Sequence, residues 1–332
     1  MEPHHIAEII FGTLIIMFGI PGNVLVIRVY SVKRLPNSTT IFIIALSVTD
    51  LIVCFLQPVI IYRNSPSGDK VAKSEFLCRF RGNFPPILTF IMVYTSTFIT
   101  TAIAVDRYFA VCKPLKRIMT PKKAICVVIC CFALSFLLTV PRLVLPRVLS
   151  TGKSKCATNK LLDSILIIPY YLAILTSFLV MAVLYVIVYL AIRKQIKIRP
   201  GHQHEQRPNL QVGNTASVER DTQTNSTETE NQKKTLEQGQ AAQGHTVQNQ
   251  GQNLQSKTTK MLLLATIVFL LTWVPSGIYY GISDNIHYSR SGVYVVLTIM
   301  RDSHLLNNVT NPFIYSLVNE RFRKDCKRLL KM

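Results

Sequence analysis

Asp106 and Arg107 stand side by side where a long apolar stretch, FITTAIAVDRYFAVCK from Phe98 to Lys113, meets water. Charge at bilayer depth is expensive, and where it persists it marks a functional site. The adjacent carboxylate offsets the guanidinium, and Arg107 can then exchange Asp106 for another partner. That is the chemistry of a switch. A second acid, Asp50 in LSVTD, lies inside another apolar run with nothing nearby in sequence to neutralise it. It needs a cation, a proton or polar partners from other segments. A third polar concentration holds Arg301, Asp302, His304, Asn307, Asn308 and Asn311. Arg301, His304, Asn308 and Asn311 recur at helical spacing and share one face, which must look into a bundle or a wet cavity. His304 and the scattered cysteines form neither a nucleophile with its base nor a metal set, so an intramembrane enzyme is set aside.

These residues require long helices to hold them. Hydrophobic residues make up 49% of the chain and charged ones 16%, and a soluble protein would carry more charge. Seven apolar runs appear, roughly Ile6–Val29, Thr40–Tyr62, Phe84–Phe109, Ala124–Leu145, Ser164–Ile192, Met261–Ile282 and Gly292–Val318. Each reaches the ~20 residues that span a bilayer as a helix. Met1–His5 has no basic n-region and no small-residue cleavage site follows, so the first helix is expected to act as its own insertion signal.

The net charge of +20 sits on the membrane body, because the polar stretch Gln195–Ser256 is balanced. Short connections carrying Lys33, Arg34, Lys116, Arg117, Lys122 and Lys123, together with the basic tail, are expected to face the cytoplasm by the positive-inside rule. Anionic lipid headgroups account for that charge better than nucleic acid does. Gln195–Ser256 is rich in Gln, Asn, Thr and Gly and is expected to be a disordered loop.

Asn23, LSVTD, the Asp106-Arg107-Tyr108 triplet followed by Ala-Val and Pro114, TWVP around Trp273 and Pro275, and NPFIY with Asn311, Pro312 and Tyr315 occur in this order. Together they resemble the rhodopsin-like (class A) family of G protein-coupled receptors. The resemblance implies an all-α seven-transmembrane helix bundle with a short amphipathic eighth helix. Helices one to five would occupy residues 1–194, the cytoplasmic loop 195–256, helices six and seven 257–318, and a membrane-surface helix 319–332. In that last segment Phe322, Cys326, Leu329 and Leu330 form the apolar stripe, and Cys326 is a candidate for lipidation. The implied protein is a plasma-membrane receptor with its amino terminus outside. It catalyses nothing itself and couples an extracellular ligand to a heterotrimeric G protein.

Residue roles follow from the same resemblance. Asp106, Arg107, Tyr108, Tyr185, Trp273, Pro275, Asn311, Pro312 and Tyr315 would switch and couple. Asp50, Ser96, Asn307 and Asn311 would hold an allosteric sodium ion beneath Trp273, with no other cofactor. The oxygen ligands these residues supply are of the kind hard cations prefer. Thr89, Phe90, Val93, Trp273, Arg301 and His304 would line the ligand pocket. With this topology Cys78 and Cys156 face the oxidising side and form the expected disulfide.

The chain also departs from the family pattern. The interval from Cys78 to Arg107 is about one turn longer than usual, and Pro85 and Pro86 are expected to break or displace the first turn of helix three. Phe132 or a neighbour takes the place of the fourth-helix tryptophan, and Pro169 stands away from the usual position near Ser177. At the cytoplasmic start of helix six, where an acid usually holds the arginine, this chain has Gln255. Gly292–Val318 contains no lysine, which excludes a retinal protein, and no acid occurs from Phe76 to Val105, which disfavours an amine. A peptide is the first expectation for the ligand; a lipid or other small anionic molecule is the alternative. A transporter would show an internal repeat, and no two parts of the chain match.

Overall fold

The computed structural model describes residues 3–32, 36–64, 75–113, 118–145, 148–150, 156–158, 160–198, 259–281 and 291–330. Its helices are α1 (Pro3–Ser31), α2 (Ser38–Asn64), α3 (Glu75–Cys112), α4 (Pro121–Val144), α5 (Lys160–Ile198) and α6 (Thr259–Gly281), each long and apolar enough to cross a membrane. The seventh crossing is divided. α7 (Ser291–Asp302) passes through a tight 3-10 turn, Ser303–Leu306, into α8 (Asn307–Val318), and Asn319 then starts the short α9 (Glu320–Leu330). The result is a seven-helix bundle with a surface helix, as the apolar runs lead one to expect.

Local chemistry sets the helix starts. Asn37 Oδ1 accepts from the Thr40 amide at 2.8 Å and from its hydroxyl at 2.9 Å, capping α2. Thr120 caps α4, with Pro121 at the first helical position. Asn319 Oδ1 accepts from the amides of Arg321 and Phe322, so the chain turns into α9 without stranding those donors.

In a bilayer the outward faces can stay apolar, and close backbone approach does the work that hydrophobic burial does in water. α4 presents Ile125, Ile129, Phe132 and Leu137 outward and buries only Ala124, Cys131, Ser135, Thr139 and Arg142. Cys131, the neighbour of Phe132, is therefore the inward-facing residue in this part of α4. Glycines let α1 settle closely on its neighbours. A Cβ on Gly19 would lie 2.4 Å from Cys54 Sγ, and one on Gly22 would meet the Pro312 ring at 3.0 Å.

Two expectations need correction. α3 runs unbroken through Pro85 and Pro86. Thr89 Oγ1 donates to the Pro85 carbonyl at 2.9 Å, and Ile87 and Ile91 just beyond are locked in a cluster with Ile15, Val53, Cys54 and Leu305. The packing of Ile87 and Ile91 and the Thr89 bond hold the helix through the lost backbone donors. The helix α5 also continues through Gln195–Ile198, into the stretch expected to be disordered; residues 199–258 lie outside the described ones. One element was not anticipated. Val148–Ser150 pairs antiparallel with Cys156–Thr158, with Leu149 opposite Ala157.

Candidate functional site

A cavity of about 550 Å³ opens at one end of the bundle, in the range of small-ligand sites. Thr89, Phe90 and Val93 line it from α3, with Arg301 and His304 from the seventh crossing, so five of the six expected pocket residues meet there. Trp273 lies beside it, 4% exposed, with its ring centroid 5.0 Å from that of His304. The walls also include residues that sequence reasoning missed: Glu8 and Gly12 of α1, Gln57 of α2, Tyr170 and Tyr171 of α5, and Ser276 and Tyr280 of α6. Tyr170 makes edge contacts with Phe90 at 4.8 Å and Tyr94 at 5.0 Å, and reaches Trp273 at 5.9 Å. Phe90 also carries the Arg142 guanidinium over its face at 4.2 Å.

Arg301 is the cavity's guanidinium. Its Nε and Nη2 donate to Asp302 Oδ1 and Oδ2, both at 2.8 Å, and Nη2 also donates to Glu8 Oε1 at 3.1 Å. His304, one turn on, shares its Nδ1 with the Arg301 carbonyl at 3.0 Å, while Ser276 of α6 donates to the same carbonyl at 3.0 Å. The 3-10 turn is pinned at Ser303, whose hydroxyl donates to the Thr272 carbonyl at 2.8 Å, one residue before Trp273.

Below Trp273 the structure brings Asp50, Ser96 and Asn311 together. Asn311 Nδ2 donates to Asp50 Oδ2 at 3.0 Å and Ser96 Oγ to Oδ1 at 3.5 Å. Asp50 is fully buried, and among the described residues no cationic side chain pairs with it. Asn307 is buried nearby, but it is its carbonyl that takes part, accepting weakly from Asn311 at 3.5 Å. Beside them Asn23 of α1 donates to the carbonyl of Asn308 at 2.7 Å, tying α1 to α8.

At the far end Arg107 is buried together with Asp106, its direct ion-pair partner. The start of α2 closes over both. Ser38 Oγ donates to Asp106 Oδ1 at 2.9 Å, and the Thr39 hydroxyl accepts from Arg107 and donates to Asp106 Oδ2 at 3.4 Å. The first turn of α2 also offers the positive end of its dipole to the carboxylate. Arg107 Nε finds no acceptor among the described residues. Tyr108 packs edge-on against Phe109, outside this pair. Tyr185 of α5 accepts from the Thr266 hydroxyl of α6 at 3.1 Å, next to the Leu262 carbonyl. Tyr315 is buried between Tyr30 and Phe322 of α9. Pro275 and Pro312 sit within their helices, Pro312 against Gly22.

Cys326 of α9 is half-buried against the same cluster as Tyr315, with Leu329 beside it. Burial pushes its thiol above the ordinary range, with the neighbouring Asp325 adding to the effect. Six cysteines, Cys54, Cys112, Cys126, Cys130, Cys131 and Cys326, carry no disulfide. The side chains of Cys78 and Cys156, and Gln255, lie outside the described residues.

A seven-helix bundle thus carries a column of separate polar sites, with a cavity at one end, the Asp50–Asn311 pair within and a buried arginine at the other end. The family model for the 7 transmembrane receptor (rhodopsin family) matches residues 22–315, and the chain belongs to that family. It is similar to the neuromedin-K receptor of Cavia porcellus, 22% identical over 96% of this chain and 63% of the relative. It is similar too to the cholecystokinin receptor type A of the same species, 24% identical over 95% of this chain and 78% of the relative. The G-protein coupled receptor homolog K2 of Swinepox virus (strain Kasza) is 31% identical over 40% of this chain and 35% of its own length. The chain therefore spans less than two thirds of two of these three relatives.

Proposed function

We propose that this chain is a plasma-membrane receptor, its amino terminus outside, that passes binding of an extracellular peptide in the cavity to a heterotrimeric G protein at the Arg107 end. The observation that carries this reading is the succession of polar sites just described. It runs from Arg301 and His304 past Trp273 to Asp50 and Asn311, with the buried Arg107 beyond. Ligand contact at His304 and Tyr170 bears directly on Trp273, two residues before Pro275 in α6. A swing of α6 there loads the Tyr185–Thr266 contact and favours one of two states, which is how a ligand shifts an equilibrium. The peptide-named relatives, the neuromedin-K and cholecystokinin receptors, support a peptide ligand.

Sodium fits the resting column. Asp50 is a buried carboxylate with only neutral donors around it, and Ser96 and Asn307 supply further oxygens. Bound there, the ion would supply charge neutralisation. α9 would lie on the inner leaflet with its basic face toward anionic headgroups, Cys326 being a candidate acyl site, and Cys78 would pair with Cys156. A peptide library applied to membranes carrying the chain and a heterotrimeric G protein tests the central reading. At least one peptide should accelerate nucleotide exchange, and the effect should vanish with Arg107→Leu. Ligand-driven exchange that persists in Arg107→Leu counts against it.

A further inference from the structure

Arg301 is the one lysine or arginine among the described residues that line the cavity. Its two carboxylate partners are not equivalent. Asp302 is its sequence neighbour and holds one edge of the guanidinium through two parallel bonds, so it neutralises and orients Arg301 and moves with it. Glu8 comes from another helix, reaches Arg301 through one 3.1 Å bond against two from Asp302, and is the only acid in α1. An acid in so apolar a helix needs a reason of the kind that Asp50 has. Its side chain is 11% exposed, while that of Arg301 is 31% exposed. The guanidinium is therefore reachable from the cavity, and a carboxylate delivered by the chain itself already rests on it.

We propose that Arg301 is the anion subsite of the cavity, that the ligand brings a carboxylate or an equivalent acidic group to it, and that Glu8 is a tethered competitor that the ligand displaces. This rests on the receptor reading above and names the ligand's chemistry. Exchange of Glu8 for a ligand carboxylate keeps two carboxylates on Arg301, and the displaced Glu8 side chain turns into the water of the cavity. Displacement also removes the ion pair between α1 and α7, giving the ligand a mechanical consequence at the cavity mouth. The sequence supports the sign: segments 63–83, 146–160 and 282–291, which adjoin the helix ends near the cavity, hold ten lysines and arginines against three acids. Phe90, Tyr170, Tyr171 and Tyr280 around the site suit an aromatic or aliphatic residue next to that acid, such as the free carboxyl end of a peptide.

The chain has a single tryptophan, Trp273, beside the cavity, so its fluorescence reports occupancy. Full-length receptor in lipid nanodiscs would be titrated with N-acetyl-phenylalanine, its carboxamide, and phenethylamine. The carboxylate probe should perturb Trp273 in the wild type, bind about tenfold more tightly in Glu8→Gln, where the competitor is gone, and fail in Arg301→Gln. Arg301→Lys, which keeps the charge and the fold but not the fork, should bind it weakly. The carboxamide should respond to none of these changes. An unchanged or weaker carboxylate affinity in Glu8→Gln, or no carboxylate binding in any variant, overturns the proposal. So does phenethylamine binding that Glu8→Gln abolishes, which would assign a cation to the site. Nucleotide exchange by the same preparations separates the two readings. If exchange is intact while Glu8→Gln has no effect, only the subsite fails; if probes bind but no variant supports exchange, the receptor reading fails.

Discussion

The molecule has two arginines of the same design at opposite ends, and they differ in one partner. Asp106-Arg107 and Arg301-Asp302 are each an acid and an arginine adjacent in sequence and joined side chain to side chain. In each, a second helix adds a further partner. At the inner end it is the neutral Thr39 hydroxyl of α2; at the cavity end it is the Glu8 carboxylate of α1. The surroundings differ as well, with side chains 7% and 5% exposed at the inner pair against 31% and 16% at the outer. The neighbour in sequence neutralises. The partner from the second helix sets the two apart. On the proposal above it decides what each arginine answers to, a ligand anion at the cavity and a change of helix packing at the other end.

The comparison breaks most visibly through the neutralising acids. Asp106→Leu leaves Arg107 buried and unpaired and should cost about 3–5 kcal/mol of stability. Asp302→Leu leaves Arg301 with Glu8 and partial solvent, and should cost only about 1 kcal/mol. Thermal denaturation of the two variants in nanodiscs compares them directly, and equal losses would mean that burial does not distinguish the ends. Next in size is Thr39→Val. It removes a hydroxyl bonded to a charged group, worth roughly 1.5–3 kcal/mol, and should raise ligand-independent nucleotide exchange about tenfold. Basal exchange in membranes at matched receptor density checks this, and no increase would make Thr39 a bystander.

Gln255→Glu sharpens the comparison from the other side by offering Arg107 a charged partner from another segment. A charge-assisted bond exceeds a neutral one by ~1 kcal/mol, so wild-type basal exchange should be appreciable and should fall several-fold in the variant. The smallest effect concerns Asp50, the buried acid with no arginine at all. Sodium in place of a large organic cation at equal ionic strength should weaken agonist binding by about fivefold, and Asp50→Asn should abolish that sensitivity. Agonist affinity indifferent to the cation in the wild type would remove sodium from the column.

What could be read from the sequence was whatever is costly where it stands. Asp50, Arg107, Arg301 and Asn311 announce themselves as polar groups in apolar runs, and the motifs order them along the bundle. Partners supplied by packing were not legible. Ser38 and Thr39 look like an ordinary polar helix start until α2 and α3 are set side by side, and Thr266 gives no sign of Tyr185. Glu8 is the instructive omission, because a lone acid in an apolar helix is the same signal that singled out Asp50. The unbroken α3 was misread because a proline pair argues locally for a break, whereas Ile87, Ile91 and the Thr89 bond argue for continuity only in the folded bundle.

The unequal lengths of the spans give the membrane itself a hold on the cavity. At 38 and 39 residues, α3 and α5 are each about 57–58 Å long and overrun a hydrocarbon layer of about 30 Å whatever its thickness. The capped α4, at 24 residues, is about 36 Å long and nearly matches it. A thinner bilayer is met at α4 by a greater tilt and a thicker one by a smaller tilt. The inward stripe of α4 ends at Arg142, which rests on the face of Phe90 in the cavity wall. Lipid composition thereby reaches the cavity wall through α4, and bilayer thickness should become a variable of ligand affinity.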